Sequence, residues 1–280
     1  MSSILTNNSA MVALQTLKGI NANLAKTQDE ISTGKKVATA QDNAAVWAIS
    51  KVMESDESAF KAVQSNLKLA EAVVATARSG AEEIQKRLVE MKNLAIGAGS
   101  DANDFGTIND QIVSLKNQIT QIIDGSQMNG VNLLKTNPVP GQTTFTVLAS
   151  LDRTSGTVQT SKNSITINSA DFETDIEGAT ITTITDSTTA QTAIGEIEDL
   201  LDIVNTQAAA LGTAAKQINQ QSDFVSKLAD SLKSGIGALV DADMEEASAR
   251  LQALQTQQQL GVQALSIANQ APQTILSLFK

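Results

Sequence analysis

Three side chains are missing from this 280-residue chain altogether: cysteine, histidine and tyrosine. Without cysteine there is no disulfide and no thiolate nucleophile, and without histidine neither a Ser-His-Asp triad nor the usual zinc ligand set can be assembled. Aromatic residues make up 2% of the chain, so its core has to be aliphatic, and a hydrophobic content of 41% is enough to build one. Basic residues are outnumbered 20 to 30, and the net charge of −10 argues against nucleic acid or an anionic membrane surface as a partner. No apolar run approaches the ~20 residues of a membrane span. The start, MSSILTNNSAMVALQTL, has neither the basic nor the apolar segment of a cleaved secretion signal. The expectation is a chain that stays in the cytosol or leaves the cell by a route needing no cleaved signal. No cofactor is expected.

What the chain has in abundance is helical periodicity. At alternating spacings of three and four, Val46, Ile49, Met53, Asp56, Phe60, Val63, Leu67, Ala70, Val74, Ala77, Ala81, Ile84, Leu88, Met91, Ala95 and Ala98 form a stripe broken only by Asp56. A stripe of this length predicts a coiled-coil-like rod of roughly 80 Å at 1.5 Å per residue. GAGSDAND, residues 97–104, ends it. A shorter stripe, Phe105, Ile108, Ile112, Leu115, Ile119 and Ile122, reads as an antiparallel return. A third runs from Ile194 and Ile197 through Val204, Leu211, Ile218 and Val225 to Ile236 and Leu239. Three such stripes cover one another in a bundle.

Residues 136–189 differ: they are rich in Thr and Ser, and TTFTV, SITIN and ATITTIT alternate as β-strands do. The acids Asp171, Glu173, Asp175, Glu177 and Asp186 give that region a solvated surface.

The two ends form a class of their own. Ala10, Ala13, Leu17, Ile20, Leu24, Thr27 and Ile31 make one stripe; Met244, Ala247, Leu251, Leu254, Gln258, Gly261, Leu265 and Ala268 make the other. Residues 1–17 and 251–279 carry no charged side chain, although a solvated helix ordinarily carries Lys and Glu on its outer face. Amides, hydroxyls and Ala in those places can be enclosed without desolvating a formal charge. The C-terminal stripe is one residue out of phase with the third, and the slip, around VDAD at 240–243, marks a joint; STGKKVATAQDNAA, 32–45, is the matching joint near the front.

LAKTQDEISTGKKVATAQDNAAVWAISKVM, MNGVNLL at 128–134, and LVDADMEEASARLQALQTQQQLGVQALSIANQAPQTILSLF resemble bacterial flagellin, over about residues 1–135 and 190–280. The resemblance implies a mainly α fold: a long antiparallel helical bundle or coiled-coil rod, a small outer β-hairpin region, and terminal helices paired in the core of a filament. It divides the chain into 1–35 with 241–280 (terminal helices, disordered in the free monomer), 36–135 with 190–240 (helical bundle) and 136–189 (outward-facing β-rich segment). Assembly contacts then fall on Leu17, Ile20, Leu24, Ile31, Leu251, Leu254, Leu265 and Ala268. The implied function is a non-enzymatic subunit that self-assembles into the flagellar filament for motility, secreted uncleaved through the flagellar type III apparatus. Its implied partners are copies of itself or sister flagellins, an export chaperone at the C-terminal helix, and filament cap and junction proteins. A flagellin-like protein of the hook–filament junction and a helical protein-binding module are the alternatives.

Flagellins sensed by a Toll-like receptor carry a segment like Leu-Gln-Arg-Val-Arg-Glu-Leu-Ala in the long helix. The matching stretch here, LVEMKNLA at 88–95, keeps Leu88, Leu94 and Ala95 but has Glu90 where those members have Arg and Asn93 where they have Glu. Lys92 keeps a charge without the planar fork of Arg. Weak or absent innate-receptor recognition is therefore expected. Other tempting features have plainer readings. DADMEE at 241–246 is a helix cap at Asp241 or Asp243 before it is a cation site, Lys35 and Lys36 are a solvated loop pair, Trp47 is a packing anchor, and the Asn-Gly at 129–130 is a turn. The metalloprotease that some relatives of flagellin carry in the outer segment needs His-Glu-x-x-His, which a chain without histidine lacks.

Overall fold

The computed structural model of this chain describes residues 7–99, 104–151 and 163–277, the last seven by their backbone only. Residues 100–103 of the Gly-rich break, and the first six and last three residues of the uncharged ends, lie outside the described residues. In chain order the elements are α1 (Asn8–Thr33), α2 (Ala44–Gly97), α3 (Phe105–Gly125), β1 (Thr144–Leu148), β2 (Ser164–Asn168), a π-helical turn (Glu173–Glu177), α4 (Ser187–Val240) and α5 (Met244–Ser277). They form two compact units, residues 1–57 with 231–280 and residues 58–230.

Each helix starts where a side chain accepts a backbone N–H that the first turn leaves unpaired. Asn7 accepts from Ala10 at 3.1 Å, Asn43 from Val46 at 3.1 Å, Asp104 from Thr107 at 3.4 Å, Asp186 from Thr188 and Thr189 at 2.9 and 2.8 Å, and Asp243 from Glu245 and Glu246 at 3.0 and 3.1 Å. Hydrogen bonds from Thr189 hold the Asp186 carboxyl below the usual carboxylate range, and those from Thr107 do the same for Asp104. The acid-rich 241–246 stretch thus holds the α5 cap at Asp243, and α1 ends at Gly34 in the left-handed region, φ 69°.

In the 58–230 unit the long stripe is the core. Phe60, Val63, Leu67, Ala70, Val74, Ala77, Ala81, Ile84, Leu88, Met91, Ala95 and Ala98 are all buried, and Ile197, Val204, Leu211, Ile218 and Val225 of α4 are buried as well. The two helices are antiparallel: Gln85 Nε2 donates to Asn205 Oδ1 at 2.7 Å, and Lys92 Nζ sits 2.7 Å from Glu198. Helix α3 buries Ile112, Leu115, Ile119 and Ile123; the predicted Ile122 is only half-buried, because the seam takes a four-residue step at its end. That end is fixed by MNGVNLL. Asn129 and Gly130 have φ of 52° and 78° in a two-residue turn closed by Met128 and Val131, as the Asn-Gly pair predicts. Buried Asn132 then donates to the free Ile123 carbonyl at 2.6 Å and accepts from Leu134 N at 3.0 Å. Gly80 of α2 is where this segment comes closest: a Cβ there would overlap Ser126 Oγ and lie 2.8 Å from Leu134 Cδ1.

The β region is smaller than its sequence pattern. β1 and β2 pair antiparallel, Phe145 opposite Ile167 and Val147 opposite Ile165, with Val147, Ile165 and Ile167 buried. ATITTIT, 179–185, reads as a strand and is not one. Side chains take the bonds a third strand would offer: Thr182 donates its N–H and hydroxyl to Glu196 at 2.6 and 2.7 Å, and Ile184 exchanges bonds with the Asn109 amide at 3.0 and 2.8 Å. Asn109 and Glu196 thereby fasten the segment to α3 and α4.

Candidate assembly interface

In the unit formed by both ends of the chain, α1 and α5 lie side by side and antiparallel. The Asn7 amide donates to the Ala268 carbonyl at 2.8 Å, Gln258 Nε2 to Asn21 Oδ1 at 2.7 Å, and the Ala242 N–H to the Gly34 carbonyl at 3.0 Å. Ala10, Ala13, Leu17, Ile20, Leu24, Thr27 and Ile31 are the covered positions of α1, and apart from these only Glu30 is covered to a comparable degree. On α5, up to residue 270, the covered positions are Ala247, Leu251, Leu254, Gln258, Gly261, Leu265 and Ala268. Leu17, Ile20, Leu24, Ile31, Leu251, Leu254, Leu265 and Ala268 therefore all lie in one seam. The predicted Met244 does not; it is exposed in the first turn of α5.

The seam is thin. Thr27 is the single fully buried residue of α1, its hydroxyl bonded back to the Asn23 carbonyl at 3.0 Å. Outside the seam, Met11, Val12 and Leu14 of α1 and Leu260, Val262 and Ile267 of α5 are exposed, up to 69% for Ile267. Sequence reasoning passed over these six because they fall off the stripe. The signal for them was there: large apolar side chains off the stripe in residues 1–17 and 251–279, which carry no charge to keep them in water. Exposed apolar side chains of this kind are what a protein interface buries.

The joint at the base of this pair is built from backbone. Lys36 and Val37 both donate to the Val240 carbonyl, at 2.7 and 3.3 Å, and Lys35 bridges to Asp241. The phase slip shows in the side chains: the predicted Leu239 is exposed and Val240 is buried. A similar exchange occurs early in α2, where Ile49 is 54% exposed and Ser50, its hydroxyl on the Trp47 carbonyl, is 2% exposed. In the connecting loop Asp42 accepts from Ala38 N, Thr39 N and the Thr39 hydroxyl, which hold its carboxyl below the usual range. Lys35 lies 3.7 Å from Glu54.

The receptor-like segment is divided by its helix. Leu88 is fully buried and faces the core. Glu90 is paired with Arg87, which also holds Glu83, and these carboxylates raise the guanidinium above its usual value. Lys92 is engaged with Glu198. Glu90, Asn93 and Leu94 line a shallow groove of about 500 Å³ with Gln111, Ser114, Leu115 and Gln118 of α3. Among the described residues no three acidic side chains are placed to hold a metal ion, and no helix is long and apolar enough to cross a membrane.

Residues 4–138 match the family described as the bacterial flagellin N-terminal helical region, and residues 194–279 match the bacterial flagellin C-terminal helical region. Over the full length of both chains, this one is 42% identical to a flagellin of Brucella melitensis. It is 39% identical to flagellin FljK of Caulobacter vibrioides, over 100% of this chain and 99% of that one. A crystal structure of Bacillus cereus flagellin aligns with TM-score 0.40 and 22% identity, over 66% of this chain and 94% of that one. The two family regions contain the paired α1 and α5 and the long helices that carry the core, so the chain belongs to the bacterial flagellin family.

Proposed function

We propose that the chain is the structural subunit of a bacterial flagellar filament, working outside the cell, and that α1 and α5 are its assembly elements. One observation carries this reading. The α1–α5 pair leaves Met11, Val12, Leu14, Leu260, Val262 and Ile267 in solvent on helices whose tips carry no charge, so a second protein surface must cover them. The occupant is another copy, because the same charge-free apolar face recurs at both ends of every subunit. Within this reading, 1–35 with 241–280 forms the inner layer, 36–135 with 190–240 the surrounding bundle, and 136–189 the outward face. Export proceeds uncleaved through the flagellar type III apparatus, an export chaperone shields the C-terminal helix beforehand, and cap and junction proteins meet the finished filament.

The test is seeded growth of the purified chain and of its Leu265→Asp variant. An unpaired carboxylate in the α1–α5 seam costs about 3–5 kcal/mol. That loss recurs at every subunit, so the variant should keep its 58–230 core by circular dichroism and stop elongating. Elongation at the parent rate would remove α5 from the interface.

A further inference from the structure

Coiled helices commonly align their register through charges that flank the seam. Helix α5 has none from residue 251 onward, so beyond the joint at its base, where Ala242 N–H meets the Gly34 carbonyl, and the Asn7–Ala268 bond, its alignment on α1 rests on the seam itself. Two features sit at the middle of the seam. Up to residue 270, Gln258 is the one polar side chain among the covered positions of α5, and at the exposed edge of the seam its amide donates to Asn21 Oδ1 at 2.7 Å. Beside it, Gly261 leaves a gap that α1 fills: a Cβ there would lie 3.2 Å from Leu17 Cδ1 and 3.8 Å from Ile20 Cδ1.

We infer that the Gln258–Asn21 amide pair, with Leu17 seated over Gly261, is a register lock within the seam of the terminal helix pair, acting with the joint at its base to set which residues of α1 and α5 face each other. Sliding α5 by one heptad toward the start of α1 sets the Gln258 amide against Leu14 and leaves Gly261 opposite the small Ala10 and Ala13. The amide then has only water to bond and the gap no filling. An apolar residue at position 258 would pack in either register, so the polar one gives up seam burial for alignment, as a single polar residue at a seam position does in other coiled coils, here with its amide bond at the exposed edge. The lock rests on the reading of α1 and α5 as a pair that persists in the filament. Copies covering its flank would keep water from an unmatched amide and sharpen the discrimination.

The absence of cysteine makes the test clean, since an introduced pair supplies the only thiols. Leu24 and Leu254 lie one turn beyond the Asn21–Gln258 contact, so Leu24→Cys with Leu254→Cys reports the observed register, and Leu24→Cys with Ala247→Cys reports the slipped one. Both pairs are placed in the parent, in Gln258→Leu, and in the exchange variant Asn21→Gln with Gln258→Asn. Each chain is oxidised free and after seeded growth, and intramolecular crosslinks are measured by mass spectrometry. Expected are the in-register crosslink alone in parent and exchange variant, and a rise of roughly five- to tenfold in the slipped crosslink with Gln258→Leu, the factor a single hydrogen bond's net contribution sets. An unchanged slipped crosslink in Gln258→Leu, an exchange variant that slips like it, or no in-register crosslink in the parent would overturn the lock. Filament growth is scored separately by electron microscopy. A parent that crosslinks in register without polymerising refutes the filament reading and leaves the lock standing.

Discussion

At residue scale, space around a backbone decides what a position tolerates. Gly80 and Gly195 are both helical glycines, and substitution at either gains helix propensity, by up to ~1 kcal/mol for Ala. At Gly195 nothing lies within 4 Å of an added Cβ, so Gly195→Ala should stabilise the chain by roughly that amount. At Gly80 the added atom meets Ser126, whose hydroxyl is fixed on the Ile122 carbonyl at 2.6 Å, and fully buried Leu134. Neither can move aside, and overpacking of this kind costs about 1–3 kcal/mol. Gly80→Val should therefore lower the thermal midpoint of the purified chain, while Gly195→Ala raises it; equal shifts would mean that the contact around Gly80 is looser than observed.

The same scale governs receptor recognition. Leu88 is in the core, so the groove-lining Glu90, Asn93 and Leu94 are the positions a receptor would meet. An acid where sensed flagellins have Arg removes a frequent hot-spot side chain and adds repulsion, together worth more than roughly 2 kcal/mol. In a reporter-cell assay the parent should signal weakly and the Glu90→Arg, Asn93→Glu double variant more strongly. Strong signalling by the parent would contradict this.

At element scale, the helices were legible because a seam repeats its chemistry at every turn. From Phe60 to Ala98 every residue of the apolar stripe is buried, with Val73 and Gly80 added beside it, and in α1 the stripe and the covered positions coincide but for Glu30. The reading slipped at Ile49 and Ser50, at Ile122 and Ile123, and at Leu239 and Val240, where a four-residue step replaces a three-residue one or the reverse. A helix of 3.6 residues per turn takes both steps, and spacing alone does not say which comes next. It failed differently at 179–185, because alternation describes an extended chain and does not say whether a strand or the side chains of Asn109 and Glu196 will take its hydrogen bonds. The thin seam of the terminal pair carries a prediction of its own. With few fully buried residues and no charge pairs toward their tips, α1 and α5 have little to hold them outside an assembly. Limited proteolysis of dilute monomer should remove about residues 1–35 and 245–280 and spare the helices of the 58–230 unit. Terminal segments as resistant as that unit would refute coupling of their folding to assembly.

At the scale of the whole molecule, the two ends of the chain share one unit and the middle forms another, with α2 and α4 contributing to both. The sequence grades its chemistry along the chain: charge is absent from the tips, paired on the long helices as in Glu83, Arg87 and Glu90, and acidic across the Thr-rich middle. In the proposed filament a gradient of this kind would run from enclosed to solvated. The central claim is that the enclosed end is enclosed by other copies of the chain, and a helical reconstruction by electron cryo-microscopy of filaments grown from the purified protein tests it most directly. Expected is a density map in which the α1–α5 pair is innermost, Met11, Val12, Leu14, Leu260, Val262 and Ile267 are covered by neighbouring subunits, and residues 136–189 face outward. Filaments in which those six side chains remain in solvent, or in which the terminal helices lie on the outside, would contradict it.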